Sequence, residues 1–168
     1  PADALVFFGA SGDLAYKKIF PALQAMVRRG RLDVPVIGVA KSGWGREQLI
    51  ARAKASVTEY GGFDPAAFGR LVELLQYVDG DYNDAETFAR LRVALGEAKR
   101  PIHYLAIPPS LFEIVIHRLG ESGCAKGARV VLEKPFGRDL ATAQRLNVVV
   151  HRTFSEENVF RIDHYLGK

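Results

Sequence analysis

The chain has 168 residues, of which 48% are hydrophobic and 25% charged, as in an ordinary globular domain with a full core. No apolar run approaches the roughly 20 residues that cross a bilayer, and the first residues lack the layout of a secretory signal. The net charge is +4, but the basic residues form no single block, so we expect no nucleic acid and no membrane as partners. Cys124 is the single cysteine, which excludes an internal disulfide and favours a cytoplasmic location.

Short apolar runs that stop at glycine, proline or polar residues predict buried strands. In chain order these strands are Ala4–Phe8, Val34–Ala40, Tyr77–Asp79, Ile102–Ile107, Arg129–Glu133 and Val159–Ile162. Between them, apolar residues recur at helical spacing. The predicted helices are Leu14–Arg29, Arg46–Glu59, Pro65–Leu75, Asp84–Leu95, Ser110–Leu119 and Asp139–Arg152.

Local chemistry marks where several of these helices begin. Asp64 precedes a helix with Pro65 in its first position, and Ser110 and Asp139 are expected to cap two later helices. Pro21 lies inside the first helical stretch, so we expect a break or a fresh start there.

The alternation of strands and helices, with apolar rather than half-polar strands, indicates a parallel sheet covered on both faces. We predict one doubly wound, Rossmann-like α/β domain that takes in residues 1–168. In this fold ligands bind beyond the carboxyl ends of the strands, near the point where the strand order reverses.

The first predicted strand ends in a glycine turn, Gly9-Ala10-Ser11-Gly12-Asp13-Leu14-Ala15, which enters a helix. Gly9 permits a tight turn, Gly12 lets a pyrophosphate approach the backbone, and Ala15 allows close packing of the helix on the sheet. The N–H groups and positive end of the helix favour a phosphate. The turn lacks Walker A spacing, and its GxxGxxA pattern also fits a turn without a ligand. Its position after the first strand nevertheless predicts a dinucleotide site.

The end of the second strand indicates which dinucleotide binds. Sites for NAD place Asp or Glu there to hold the ribose 2′-hydroxyl, but this chain has Lys41 and Ser42, with no carboxylate before Glu47. Both residues can pair with a 2′-phosphate, although Lys41 also fits a solvated loop cation. The pattern favours NADP over NAD.

Three stretches are specific in combination: Gly9–Lys18 (GASGDLAYKK), Glu133–Gly137 (EKPFG) and Arg161–Lys168 (RIDHYLGK). With Ala40–Ser42 and Ile107–Pro109, they make the chain resemble the glucose-6-phosphate dehydrogenase family along its whole length. The resemblance implies oxidation of glucose 6-phosphate at C1, with hydride transfer to NADP⁺, to give 6-phosphoglucono-lactone and open the pentose phosphate pathway.

Matched position by position, the resemblance implies that Gly9–Ala15 contact the cofactor pyrophosphate. The implied contacts of the adenosine 2′-phosphate are Ser11, Lys41 and Ser42, and those lining the cofactor groove are Tyr82, Pro108 and Pro109. Two departures concern this site: Lys41 stands where the family often has Arg, which weakens discrimination against NAD, and Tyr16 replaces a common Lys.

The resemblance also implies where the sugar binds. Lys134 would lie between nicotinamide and sugar, with a cis bond before Pro135, and Asp163 would orient the general-base histidine. The implied contacts of the sugar phosphate are His164, Tyr165 and Lys168. In the family that histidine comes from a second, larger α+β domain that follows this segment, and none of the four histidines here matches it.

We therefore expect residues 1–168 alone to bind NADP⁺ without turnover, and the whole protein to be a homo-oligomer, either a dimer or a tetramer. Two other functions remain open at this point. One is a stand-alone NADP-binding sensor or scaffold, which would bind no sugar phosphate. The other is an unrelated NADP-dependent reductase with the same fold, which leaves the RIDHYLGK stretch unexplained.

Overall fold

A computed structural model describes residues 1–162 as one six-stranded sheet flanked by helices. Its strands are β1 (Ala4–Phe8), β2 (Val36–Ala40), β3 (Leu75–Asp79), β4 (Pro101–Leu105), β5 (Arg129–Glu133) and β6 (Val159–Ile162). They lie in the order β3-β2-β1-β4-β5-β6, and all neighbouring pairs are parallel. The predicted doubly wound, Rossmann-like fold is therefore confirmed.

Six α-helices connect the strands. They are α1 (Phe20–Arg28), α2 (Arg46–Ser56), α3 (Pro65–Leu74), α4 (Ala85–Leu95), α5 (Phe112–Ser122) and α6 (Leu140–Thr153). A π-helical segment, Ala15–Ile19, leads into α1, and a second one, Val57–Gly61, follows α2. Within residues 1–162, no helix combines the length and apolar character needed to cross a bilayer.

The two faces of the sheet carry separate hydrophobic clusters. Phe7 and Phe8 are consecutive in β1 and are both fully buried, so their side chains point to opposite faces. Phe7 packs edge-on against Phe20 of α1, with ring centroids 5.5 Å apart. Phe8 stacks on Phe88 of α4 at 6.0 Å. Burial on both faces explains why β1 is apolar throughout instead of alternating.

The capping predictions are confirmed at Asp64 and Asp139. The Asp64 side chain accepts a hydrogen bond from the N–H of Ala67 at 3.1 Å, and the Asp139 side chain accepts one from Thr142 at 2.9 Å. The break expected at Pro21 is also found, because the π-helical segment gives way to α1 at that point.

The cap predicted at Ser110 is wrong. A 3₁₀ turn over Pro109–Leu111 precedes α5, which begins at Phe112 without a side-chain cap and continues to Ser122. Pro108 has an extended backbone and Pro109 begins the 3₁₀ turn, so the α-helix begins two residues after Ser110.

Candidate dinucleotide-binding site

The carboxyl edge of the sheet brings together the residues that the sequence singled out. β1 lies between β2 and β4, so the strand order reverses beside it. The residues that follow the first five strands at this edge are the glycine turn after β1, Lys41 and Ser42 after β2, Tyr82 after β3, Pro108 after β4 and Lys134 after β5. This is the place where doubly wound folds bind dinucleotides.

Gly9 is required by the close approach of β1 to the end of β4. Its φ is +86°, and a Cβ at this position would lie 2.0 Å from the carbonyl oxygen of Ala106. No other residue type fits both the backbone conformation and the space. The tight turn predicted at Gly9 is thus present, and it packs closely against the end of β4.

Gly12 is much less crowded than Gly9. A Cβ would have one heavy atom within 4 Å, the carbonyl oxygen of Gly9 at 3.3 Å. The N–H of Gly12 donates to that same oxygen at 3.0 Å, whereas the N–H of Ser11 bonds to no other residue of 1–162. The turn therefore offers space at Gly12 and a backbone donor at Ser11 for an anion.

The small residues of the turn allow it to pack on the sheet. Ala10 and Ala15 are fully buried, Ser11 and Leu14 are half-buried, and Asp13 is exposed. Gly38 of β2 was not singled out from the sequence, yet a Cβ there would lie 2.9 Å from the Cβ of Ala10. Glycine in the middle of a strand was the available signal, since it often marks a close backbone approach.

Tyr82 supports the turn from behind, in addition to its predicted place beside the groove. Its hydroxyl accepts a hydrogen bond from the N–H of Gly9 at 2.9 Å and donates to the carbonyl of Val39 at 3.2 Å. Its ring packs edge-on against Phe8. Burial raises the pKa of Tyr82 to about 12, so the hydroxyl is neutral and can serve both partners.

Lys41 is not an isolated cation at the end of β2. Its Nζ lies 3.0 Å from Oδ2 of Asp81, with side-chain exposures of 72% and 40%. A hydrogen bond from the Asn83 backbone and the charge of Lys41 lower the pKa of Asp81, so this carboxyl group is ionised. The sequence showed no carboxylate before Glu47, but β3 brings one to Lys41 from a distant part of the chain.

Ser42 is engaged by a second carboxylate, that of Asp79 at the end of β3. Oδ1 of Asp79 accepts hydrogen bonds from the N–H groups of Ser42 and Gly43 at 2.9 and 3.0 Å, and from the Tyr77 hydroxyl at 2.7 Å. The Ser42 hydroxyl lies 2.6 Å from that of Tyr77. Although burial opposes the effect, these hydrogen bonds lower the pKa of Asp79. Asp79 thus fixes the loop that carries Lys41 and Ser42.

Lys134 lies at the end of β5 with an exposed side chain, and its N–H donates to the carbonyl of Ile162 at 3.1 Å. The expected cis bond between Lys134 and Pro135 is present. Beside it, the Tyr104 hydroxyl donates to Glu133 at 2.6 Å. The remaining predicted residues, Asp163, His164, Tyr165 and Lys168, lie outside the described residues.

Three histidines belong to residues 1–162, and their contacts are structural. His103 is buried in β4 and bonds through Nε2 to the carbonyl of Cys124, while His117 and His151 pair with Glu121 and Glu156 on the surface. Burial raises the pKa of the Cys124 thiol, which makes it a poor nucleophile.

Two grooves among the described residues differ in position. The larger, about 600 Å³, lies at the amino edge of the sheet between the loops that precede β5 and β6. A second, about 360 Å³, lies at the carboxyl edge between Pro109, Phe136, Arg138 and Arg145. This second groove includes Pro109 but none of the glycine turn, Lys41, Ser42 or Tyr82. The candidate dinucleotide site is therefore placed at the carboxyl edge by the glycine turn and the reversal of strand order, and not by the volume of a groove.

The family model that matches this chain and the two relatives compared with it below are all glucose-6-phosphate dehydrogenases. The family model described as "Glucose-6-phosphate dehydrogenase, NAD binding domain" matches residues 6–168. Over 167 residues the chain is 40% identical to glucose-6-phosphate 1-dehydrogenase 1 of Mycobacterium tuberculosis, covering 99% of this chain and 36% of that protein. It is 39% identical over 170 residues to the glucose-6-phosphate 1-dehydrogenase of Dickeya dadantii, with coverages of 98% and 35%.

Solved structures agree with this result. The crystal structure of glucose-6-phosphate 1-dehydrogenase from Mycobacterium avium superimposes with a TM-score of 0.93 at 40% identity, over 99% of this chain and 37% of that one. A glucose-6-phosphate dehydrogenase in complex with its substrate glucose-6-phosphate gives a TM-score of 0.85 at 36% identity, over 98% and 37%. The chain spans just over a third of the length of these relatives. It belongs to the glucose-6-phosphate dehydrogenase family, in which it matches the NAD-binding domain.

Proposed function

We propose that this chain is the NADP-binding domain of a glucose-6-phosphate dehydrogenase, which oxidises C1 of glucose 6-phosphate to 6-phosphoglucono-lactone. The observation that carries the proposal is the glycine turn at the switch point. Gly9 packs closely against Ala106, whereas a Cβ at Gly12 would meet one atom and the N–H of Ser11 bonds to no other residue of 1–162. Such a turn at the start of a helix fits the pyrophosphate of a dinucleotide.

The preference for NADP follows from charge at the end of β2. Lys41 places a cation where NAD sites place a carboxylate, and Ser42 adds a hydroxyl beside it. A charge-assisted hydrogen bond contributes about 1.5–3 kcal/mol. We expect the lower end, roughly tenfold in affinity, because the Lys41 side chain is 72% exposed.

For the sugar, the proposal assigns Lys134 to the space between nicotinamide and substrate. Its position after β5 is one strand beyond the Pro108 turn, which lines the nicotinamide half of the groove in this proposal. Hydride transfer requires the reacting carbons to lie about 3–3.5 Å apart. The family resemblance further assigns the sugar phosphate to His164, Tyr165 and Lys168, and the orientation of the general base to Asp163.

A general base must also remove the hydroxyl proton as the carbonyl forms, at a contribution of roughly 10²- to 10⁴-fold. The contacts of His103, His117 and His151 leave none of them at the carboxyl edge. We propose that a second α+β domain supplies the histidine and that residues 1–168 alone bind NADP⁺ without turnover. The proposal extends to a cytoplasmic, homo-oligomeric whole protein.

The test uses Trp44, which lies two residues after Ser42, with its ring 6.4 Å from that of Tyr77. Titration of its fluorescence with NADP⁺ and NAD⁺, repeated by calorimetry, gives both affinities for the wild type, Lys41→Met and the distant control Lys126→Met. We expect tighter binding of NADP⁺, and a selective loss of NADP⁺ affinity in Lys41→Met alone. Equal losses for both nucleotides in Lys41→Met would refute the assignment of Lys41.

A further inference from the structure

The ion pair between Lys41 and Asp81 places an anion beside the proposed contact of the 2′-phosphate. The two side chains approach to 3.0 Å, and both are partly exposed at the carboxyl edge of the sheet. Lys41 is predicted to contact the 2′-phosphate, yet in the structure its ammonium group is already paired with the carboxylate of Asp81.

Asp81 is held in place without the help of Lys41. Its Oδ1 accepts a hydrogen bond from the N–H of Asn83 at 2.8 Å, which leaves Oδ2 for Lys41. Its carbonyl accepts from the Thr87 hydroxyl at 2.8 Å and from the N–H of Asp84 at 3.0 Å. Since Thr87 is buried at the start of α4, these contacts position the Asp81 carboxylate independently of its pair with Lys41.

The neighbouring Asp79 has a different role. Its Oδ1 is occupied by the N–H groups of Ser42 and Gly43 and by the Tyr77 hydroxyl, so it stabilises the loop. Of these two carboxylates, Asp81 is the one paired with the Lys41 ammonium.

A 2′-phosphate and a ribose 2′-hydroxyl interact differently with the pair of Lys41 and Asp81. The phosphate needs the ammonium of Lys41 and is repelled by a fixed anion, whereas a ribose 2′-hydroxyl carries no charge and can donate to a carboxylate. We infer that Asp81 is a specificity-determining residue, which competes with the 2′-phosphate for Lys41 and so narrows the preference for NADP⁺ over NAD⁺. This inference rests on the proposed function.

The test is Asp81→Asn, which removes the charge but keeps an amide oxygen for the N–H of Asn83. Asp33→Asn is the matched control, because Asp33 is exposed, precedes β2 and thus lies at the opposite edge of the sheet. Calorimetric titration with NADP⁺ and NAD⁺ gives the ratio of the two dissociation constants. We expect Asp81→Asn to raise NADP⁺ affinity roughly two- to fivefold, as suits an exposed pair, without improving NAD⁺ binding.

Two further measurements show whether Asp81 acts through its charge and through Lys41. In a Lys41→Met background, Asp81→Asn should raise NADP⁺ affinity less than it does in the wild type, because there is no Lys41 ammonium to release from the ion pair. The gain should also fall as salt is raised, since exposed charges are screened. If the effect of Asp81 were purely structural, the gain in NADP⁺ affinity would depend neither on Lys41 nor on the salt concentration.

The outcomes separate the inference from the function on which it rests. If the wild type binds NADP⁺ but Asp81→Asn changes the ratio of the two dissociation constants no more than Asp33→Asn does, the inference is wrong and the proposed function stands. If Asp81→Asn strengthens NAD⁺ binding as much as NADP⁺ binding, the inference is again wrong. If the wild type binds neither nucleotide, both are overturned.

Discussion

The hydroxyl of Tyr82 lies 2.9 Å from the backbone nitrogen of Gly9 and accepts its hydrogen bond. The same hydroxyl donates to Val39 near the end of β2, so one side chain from the β3–α4 loop connects the carboxyl ends of β1 and β2. The glycine turn therefore depends on a residue 73 positions away for part of its backbone hydrogen bonding.

Tyr82→Phe removes this hydroxyl and keeps the ring that packs on Phe8. Because Gly9 retains its hydrogen bond to the Val39 carbonyl, we expect a loss of only about 1 kcal/mol in the free energy of unfolding. Nucleotide affinity should fall equally for NADP⁺ and NAD⁺, since the turn faces the pyrophosphate that both share. Urea unfolding and calorimetry measure the two effects, and a loss confined to NADP⁺ would count against this role of Tyr82.

Gly9→Ala tests the contact between β1 and β4. Its Cβ would lie 2.0 Å from the Ala106 carbonyl oxygen at a φ of +86°. Gly123→Ala is the control, because Gly123 is in the left-handed region with a φ of +82° and has no atom within 4 Å of a Cβ. Urea unfolding should show about 1–2 kcal/mol of strain at Gly123 and a clearly larger loss at Gly9. Equal losses would mean that the strands can separate at little cost.

Gly12→Ala tests binding apart from folding. A Cβ at Gly12 meets one atom, at 3.3 Å, so we expect the free energy of unfolding to stay within about 1 kcal/mol of the wild type. The methyl group would project where the pyrophosphate approaches, and affinity for both nucleotides should fall sharply. A variant that binds NADP⁺ as the wild type does would place the cofactor elsewhere.

The features that could be predicted from the sequence are those set by local chemistry. Asp64 and Asp139 cap the helices that they precede. Gly9 follows β1, a strand of apolar residues that is buried on both faces of the sheet. Ser110 failed as a cap although it belongs to a favoured residue type, because the two prolines before it impose a 3₁₀ turn.

The part of the site that could not be predicted depends on strand order. Lys41 and Asp81 are 40 positions apart, and they meet because β2 and β3 are parallel neighbours with Ala40 paired to Asp79. Nothing in the residues around Lys41 indicates which strand lies beside it. Gly38 is explained in the same way, since its missing side chain leaves space for Ala10 of the adjacent turn.

The buried His103 predicts a dependence of stability on pH. Its Nε2–H donates to the Cys124 carbonyl, and Nδ1 has no hydrogen-bond partner among residues 1–162. Burial lowers the pKa of His103 to about 4, below the value of roughly 6.5 in the unfolded chain. The unfolded state therefore binds more protons between these values, so the stability present above pH 6.5 is lost as the pH falls towards 4.

The expected loss from His103 is about 2 kcal/mol between pH 7.5 and pH 5, measured by urea unfolding. His103→Gln retains an amide donor for Cys124 and should lose less stability over the same interval. The exposed His117 gives the control variant His117→Gln, which should follow the wild type. If His103→Gln shows the same pH dependence as the wild type, another group is responsible.

The most direct test of the central claim is the location of the bound cofactor. Titration of the ¹⁵N-labelled chain with NADP⁺, followed by NMR, reports on each backbone amide. We predict that the largest shifts occur in Gly9–Ala15 and at Ser42 and Gly43, with Lys126–Ala128 at the amino edge unaffected. Shifts concentrated around Lys126–Ala128, or none at saturating NADP⁺, would contradict the assignment of a dinucleotide site to the carboxyl edge of this sheet.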